Sequence, residues 1–141
     1  MSNAFNAMGT KLQKGDAASP EVFATVAEVL SISWGGKKLD MTDVTNMDSV
    51  GGYEEVLPTI FRSGEITFDV NYVPAAATQI ALNTDYEART KRNWKIVLPG
   101  SPTIGTWSFS GYIAELGLDL PLDKQAKRQI KIKVTGQPTF A

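Results

Sequence analysis

Residues 64–73 alternate strictly, with Ile66, Phe68, Val70 and Tyr72 on one side and Glu65, Thr67, Asp69 and Asn71 on the other. This is the period-two signature of a strand with one buried and one wet face. The stretch before it is the stronger constraint. Residues 45–63 keep no sustained helical or strand period and contain Gly51-Gly52 and Pro58, yet they carry Val50, Tyr53, Val56, Leu57, Ile60 and Phe61. Loops longer than about 12–15 residues are uncommon in compact domains and are usually functional or disordered. This one is too apolar for a disordered linker. It reads as an arm that packs on something, another subunit being one such surface.

The flanking sequence supplies the rest of a β domain. Residues 1–20 are rich in Ala, Ser, Asn, Gly and Lys and predict a flexible arm. Their one ordered piece is a short strand in Gly9-Thr10-Lys11-Leu12-Gln13-Lys14-Gly15-Asp16. A single domain is expected over residues 21–141. Within it, residues 22–34 place Val26, Leu30, Ile32 and Trp34 on one face, and Glu28 interrupts that face as an edge or a bend. Gly35-Gly36 supplies a turn, and residues 37–45 read as the return strand. Pro74 stops the next ladder and opens a helix over about 75–89, whose stripe is imperfect because Ile80 and Leu82 point about 160° apart. Asn83-Thr84-Asp85 offers a break in that helix.

Trp94, Ile96 and Leu98 alternate up to Pro99-Gly100-Ser101-Pro102. Residues 106–120 form a long strand, bulged near Gly111 or Gly117 to restore its phase. Residues 127–135 set Arg128, Ile130, Ile132 and Val134 against Lys127, Gln129, Lys131, Lys133 and Thr135. About seven strands and one helix predict a mainly β fold, an antiparallel β-sandwich or partly open barrel with one flanking α-helix.

Composition narrows the chemistry. A chain of 141 residues can bury roughly two-thirds of the surface its unfolded form exposes, so it needs no staples. Cysteine and histidine are both absent, which removes disulfides, thiolate metal sites, thiol nucleophiles and every histidine-based triad or metal site. Fourteen basic against fifteen acidic residues leave a formal charge of −1, with no net field for steering nucleic acid or an anionic membrane. No segment approaches the roughly 20 apolar residues of a membrane span, and residues 1–15 hold no signal-length apolar run, so a cytosol-like location without membrane contact is expected.

The remaining candidate chemistry is weak. Glu54-Glu55, Asp40 with Asp43, and Asp119 with Asp123 are the nearest carboxylate pairs, but glycosidic chemistry needs two carboxyls held across a cleft. Asp40-x-Thr42 lacks the Gly and the bidentate Glu of a calcium loop, and Gly35-Gly36-Lys37-Lys38 lacks the first Gly and the final Ser or Thr of a phosphate loop. Trp34, Trp94 and Trp107 could form a sugar or nucleic-acid platform, but each is in phase with an apolar strand face, which favours packing. The rows Lys127, Lys131, Lys133 and Glu65, Asp69 would be explained by cross-strand or cross-subunit ion pairs if their strands are neighbours. No catalytic residue, metal ligand or cofactor is expected.

The order of pieces along the chain resembles a known family. Gly9-Thr10-Lys11-Leu12-Gln13-Lys14-Gly15-Asp16 is followed by Ala27-Glu28-Val29-Leu30-Ser31-Ile32-Ser33 and Asp43-Val44-Thr45-Asn46-Met47-Asp48-Ser49. Then come Tyr53-Glu54-Glu55-Val56-Leu57-Pro58, Ser63-Gly64-Glu65-Ile66-Thr67-Phe68-Asp69 and Arg92-Asn93-Trp94-Lys95-Ile96-Val97-Leu98-Pro99. Trp107-Ser108-Phe109-Ser110-Gly111-Tyr112 and Val134-Thr135-Gly136-Gln137-Pro138-Thr139 close the series. Together these pieces resemble the tail tube proteins of bacteriophages with long non-contractile tails.

The resemblance implies a β-sandwich with one flanking helix, six copies to a ring, and rings stacked into a hollow tube through which the genome passes. It implies no catalysis and no cofactor. It makes residues 45–62 a reach to a neighbouring subunit or ring, with Val50, Tyr53, Val56, Leu57, Ile60 and Phe61 as the buried contacts, and it makes Glu65 and Asp69 candidate lumen residues. The implied partners are further copies of the chain, a tape-measure protein, and tail-tip and terminator proteins. DNA would be passing cargo, and the implied place is the virion tail after assembly in the host cytoplasm. The competing readings are the tube of a gene transfer agent, phage-like bacteriocin or contractile device, and a carbohydrate-binding β-sandwich.

Overall fold

The computed structural model describes residues 4–16, 18–100 and 104–141. Among these residues nine strands and one α-helix follow in the order β1 (Lys11–Gly15), β2 (Phe23–Thr25), β3 (Val29–Trp34), β4 (Lys38–Asp43), β5 (Val56–Arg62), β6 (Glu65–Asn71), α1 (Ala77–Ala88), β7 (Arg92–Val97), β8 (Thr106–Leu116) and β9 (Lys127–Phe140), with a single 3-10 turn at Val50–Gly52 between β4 and β5. Seven strands form one antiparallel sheet in the order β2-β1-β7-β8-β9-β6-β3, and β4 and β5 form a separate two-stranded ribbon.

The two outer strands of the sheet, β2 and β3, are joined by the short turn 26–28. A chain that short spans at most about 14 Å, so the sheet must curl until its edges approach. No ladder closes between them, which leaves a partly open barrel. The inner face is filled by the alternating apolar positions of the strands: Leu12, Ile66, Phe68, Val70, Trp94, Ile96, Phe109, Ile113, Ile130, Ile132 and Val134 are all buried.

Helix α1 packs against β8 and reaches the 26–28 turn. Its buried positions Gln79, Leu82 and Asp85 recur every third residue, so most of the inward stripe is polar. This is why apolar spacing alone describes the helix poorly. Each polar group has a partner. Gln79 accepts from the Val73 N–H at 3.0 Å and donates to the Asn71 carbonyl at 2.8 Å. The Ala27 N–H, in the turn between the sheet edges, donates to Thr78 Oγ1 at 3.3 Å. Asp85 sits between Lys14 of β1 at 2.6 Å and Arg92 of β7 at 3.0 Å, tying helix to sheet.

Several sequence expectations need correction. The short strand expected within Gly9–Asp16 is β1, and it is no free arm, because it pairs into the sheet and buries Leu12 fully. Residues 1–3 and 17 lie outside the described residues, as do 101–103 of the Pro99–Pro102 turn. Residues 22–34 break in two at Glu28, whose φ is +56°. Past that bend a bulge leaves Leu30 without a ladder partner and turns it outward. Helix α1 runs unbroken through Asn83-Thr84-Asp85 because Asp85 is held by its two cations, and Pro74 lies in the preceding turn rather than in the helix. The extra residue in β8 is Ala114, not Gly111 or Gly117. Residues 38–43 do not return along β3; they leave the sheet altogether.

Candidate assembly surface

β3 pairs with β6 and β4 pairs with β5, so the four strands are one long antiparallel hairpin kinked in the middle. The kink lies where Gly35-Gly36 faces Ser63-Gly64. Gly36 and Gly64 adopt φ +91° and +79°, and a Cβ on Gly64 would collide with the Gly36 carbonyl, so both strands need glycine to turn together. The Trp34 indole N–H donates to the Ser63 carbonyl at 2.8 Å and fixes the bend. On the sheet side of the kink the hairpin is half of a core. Beyond it, every residue of β5 is exposed.

The register of the ribbon explains why residues 45–63 show no strand period. Leu39 pairs with Phe61 but Met41 pairs with Pro58, so β5 carries one extra residue opposite Asp40 and its side chains change faces there. The result is a ribbon with one largely apolar face, Leu39, Met41, Val56, Pro58 and Phe61 with Asp43 at its end, and an opposite face with Lys38, Thr42, Leu57 and Arg62. Arg62 pairs with Asp40 on that second face.

The tip is tied by its own polar groups. Thr45 Oγ1 accepts from the Glu55 N–H at 2.8 Å, the Val44 N–H donates to the Glu55 carbonyl at 2.9 Å, and Ser49 Oγ donates to a Glu55 carboxylate oxygen at 3.1 Å. Hydrogen bonds from the Thr45 side chain and backbone hold the Asp43 carboxyl below the usual aspartate range.

All six arm residues singled out from the sequence are exposed: Val50, Tyr53, Val56, Leu57, Ile60 and Phe61. Val50, Tyr53 and Phe61 stand out most, at 84%, 79% and 82%. The stretch expected as a loop is in part a strand, since β5 occupies residues 56–62. The kink keeps it off its own core. Sequence reasoning missed Leu39, Met41 and Met47 in the same arm, and a second exposed apolar run at Leu118, Leu120 and Leu122 between β8 and β9. The one available signal for that run was its alternation with Asp119, Pro121 and Asp123 beside a turn.

Glu65 and Asp69 lie on the wet face of β6, next to β9 as anticipated. Glu65 is directly opposite Lys133, yet no ion pair joins them among the described residues, and Asp69 stands opposite Gln129 and accepts from Ser31 Oγ at 3.3 Å. Lys131 pairs instead with Glu115 of β8 at 3.5 Å. Exposed pairs gain too little to hold two long side chains together. Trp94 is buried, and Trp34 meets Trp107 edge to face at 5.3 Å, so the tryptophans are packing groups and form no flat platform. Among the described residues no cluster of acids could hold a metal, and no helix is long and apolar enough to cross a membrane.

The described structure is a curled antiparallel sheet with one α-helix packed against it and a two-stranded ribbon of exposed apolar residues. The family profile described as lambda phage tail tube protein matches residues 5–141. The chain belongs to that family.

Solved structures share the fold of this tail tube protein. The tail of an empty gene transfer agent particle, refined with C6 symmetry, superposes with a TM-score of 0.78 at 17% identity, covering 98% of this chain and 99% of that one. The six-fold symmetrised baseplate of the anti-feeding prophage gives 0.75 at 9% identity, covering 100% and 97%. The SPP1 tail tube gives 0.69 at 13% identity, covering 96% and 78%. No curated protein matches the chain significantly in sequence.

Proposed function

We propose that this tail tube protein closes six copies at a time into rings, and that the rings stack into the hollow conduit of a phage tail. The observation that carries the reading is the β4–β5 ribbon, whose large apolar side chains Leu39, Met41, Val56, Leu57, Ile60 and Phe61 are all exposed. A two-stranded ribbon alone is marginally stable in water, and exposed apolar area of this kind marks a protein contact. A head-to-tail contact either closes a ring or propagates a polymer, and a tube needs both. Val50, Tyr53, Val56, Leu57, Ile60 and Phe61 become buried between subunits in this assembly.

The wet face of the sheet mixes Glu65, Asp69 and Glu115 with Lys127, Lys131 and Lys133. Such a lining does not grip phosphates, which suits a conduit for passing DNA, and Glu65 and Asp69 face the lumen in this reading. The role is mechanical rather than catalytic. A tape-measure protein sets the length, a tail-tip complex initiates the tube and a terminator caps it. Assembly takes place in the host cytoplasm and the product resides in the virion tail.

Electron microscopy of the concentrated protein tests the proposal. Rings or tubes about six subunits round are expected, and a chain that stays monomeric even with a tail-tip initiator would overturn it. The gene transfer agent and contractile-device readings draw on the same fold similarity. Co-sedimentation with a contractile sheath protein would favour the latter.

A further inference from the structure

At the root of the ribbon lies a groove of about 690 Å³, between residues 37–39 and 60–63 on one side and residues 133–138 of β9 on the other. β9 opens it by leaving its ladder: Ser108 pairs with Thr139 but Ser110 pairs with Thr135, so residues 136–138 loop out around Gly136 at φ +80°. Ser63 Oγ donates to the Gly136 carbonyl at 2.6 Å and pins the two walls together. Its apolar lining is Leu39, Ile60, Phe61, Val134 and Pro138. Its charged lining is cationic, with Lys37, Lys38, Arg62 and Lys133 and no acid. Among the described residues only Arg62 of these four has an ion-pair partner, and Lys37 lies over the Trp107 ring at 5.4 Å.

The ribbon tip is the complement. Residues 43–55 hold Asp43, Asp48, Glu54 and Glu55 with no lysine or arginine, and none of the four acids makes an ion pair among the described residues. Between these acids project Met47, fully exposed, Val50 and Tyr53. The tip cannot fill the groove of its own chain, because the ribbon holds it roughly 20 Å away at about 3.3 Å per residue.

We infer that the tip of one copy seats in the root groove of another, with Met47, Val50 and Tyr53 against its apolar lining and the tip carboxylates against Lys38 and Lys133. This rests on the reading that the ribbon joins copies of the chain, and it names the surface that receives it. It also divides the arm residues by role. Val50 and Tyr53 insert, and Ile60 and Phe61 receive.

Two experiments test it on the full chain under conditions where the wild type forms tubes. Glu54→Lys with Glu55→Lys, and separately Lys38→Glu with Lys133→Glu, should each raise the concentration needed for assembly by about tenfold or more. Mixing the two variants should restore it to within about threefold for alternating tip and groove partners. The chain has no cysteine, so Met47→Cys with Gln137→Cys reports the contact directly, as an intermolecular disulfide ladder in oxidised tubes. Tubes that form without that ladder, or charge reversals with no mutual rescue, overturn the inference and leave the tube itself standing. Failure of the wild type to form any tube overturns both. Retention of double-stranded DNA that is lost in Lys38→Glu with Lys133→Glu, without a ladder, would assign the groove to nucleic acid and overturn the inference. Unchanged thermal unfolding of each variant confirms that the fold is intact.

Discussion

β5 and β6 are consecutive strands of seven residues joined by Ser63-Gly64. β6 reads Glu-Ile-Thr-Phe-Asp-Val-Asn and buries Ile66, Phe68 and Val70 completely; β5 reads Val-Leu-Pro-Thr-Ile-Phe-Arg, is the more apolar of the two, and is exposed along its whole length. The difference lies in their partners. β6 is flanked by β3 and β9 within a curled sheet, whereas β5 has β4 alone. Apolar content therefore marks a strand as one that will be covered, without saying by which chain. In a subunit built to polymerise, the greasiest strand can be the one its own fold leaves bare.

Substitutions on the two sides of the kink should separate these fates. The largest loss of stability is expected in the sheet, where Trp94→Ala removes a fully buried indole at about 3–5 kcal/mol. The melting temperature should fall by roughly 10 °C or more, and a shift of only a degree or two would break the contrast from the core side. Asp85→Ala should follow, at about 2–3 kcal/mol, because it strands Lys14 and Arg92 beneath the helix. Denaturant unfolding checks this, and rescue by Lys14→Met in the same background would identify stranded charge as the cause.

Gly64→Ala acts on the kink itself and should cost about 1–2 kcal/mol, since alanine is strained at φ +79° and its Cβ meets the Gly36 carbonyl. It should also misdirect the ribbon, so tube formation should fall by more than the stability loss explains. In the ribbon the ranking inverts. Tyr53→Lys or Leu57→Lys should change subunit stability by no more than about 0.5 kcal/mol while abolishing stacking in the electron microscope. A large unfolding shift from either would mean that the tip is part of the subunit core.

The smallest effect is expected from acid. Asp43 has a folded-state pKa depressed by hydrogen bonds from Thr45. The support this gives the tip is complete above the unfolded value, about 3.9, and is lost as the pH falls through the lower folded value. Amide exchange at Thr45 should rise across that window and not in Asp43→Asn, which has no carboxylate to protonate.

Much of the sheet was legible because period two survives wherever a strand has one core face, as in Ile66-Phe68-Val70 and Ile130-Ile132-Val134. The helix was located but its inward stripe was not, because Gln79 and Asp85 satisfy a buried face by hydrogen bonds and charge instead of hydrophobicity. The candidate contact was legible as an excess of apolar side chains without a period. The cause of the missing period, an extra residue opposite Asp40, was not, since a bulge is a property of two strands in register. The groove was invisible for the same reason. Its walls come from segments some 70 residues apart, brought together by Ser63 and the β9 excursion.

Sequence alone settled the inventory: strands with one wet face, one helix, no thiol or imidazole chemistry, and an arm greasier than a free loop tolerates. These follow from side-chain type and local spacing, which need no knowledge of neighbours. Tertiary structure decided that residues 38–43 leave the sheet and that β5 stands outside it. Those outcomes depend on the close approach of Gly64 to the Gly36 carbonyl and on cross-strand register, quantities that exist only once distant parts of the chain have met.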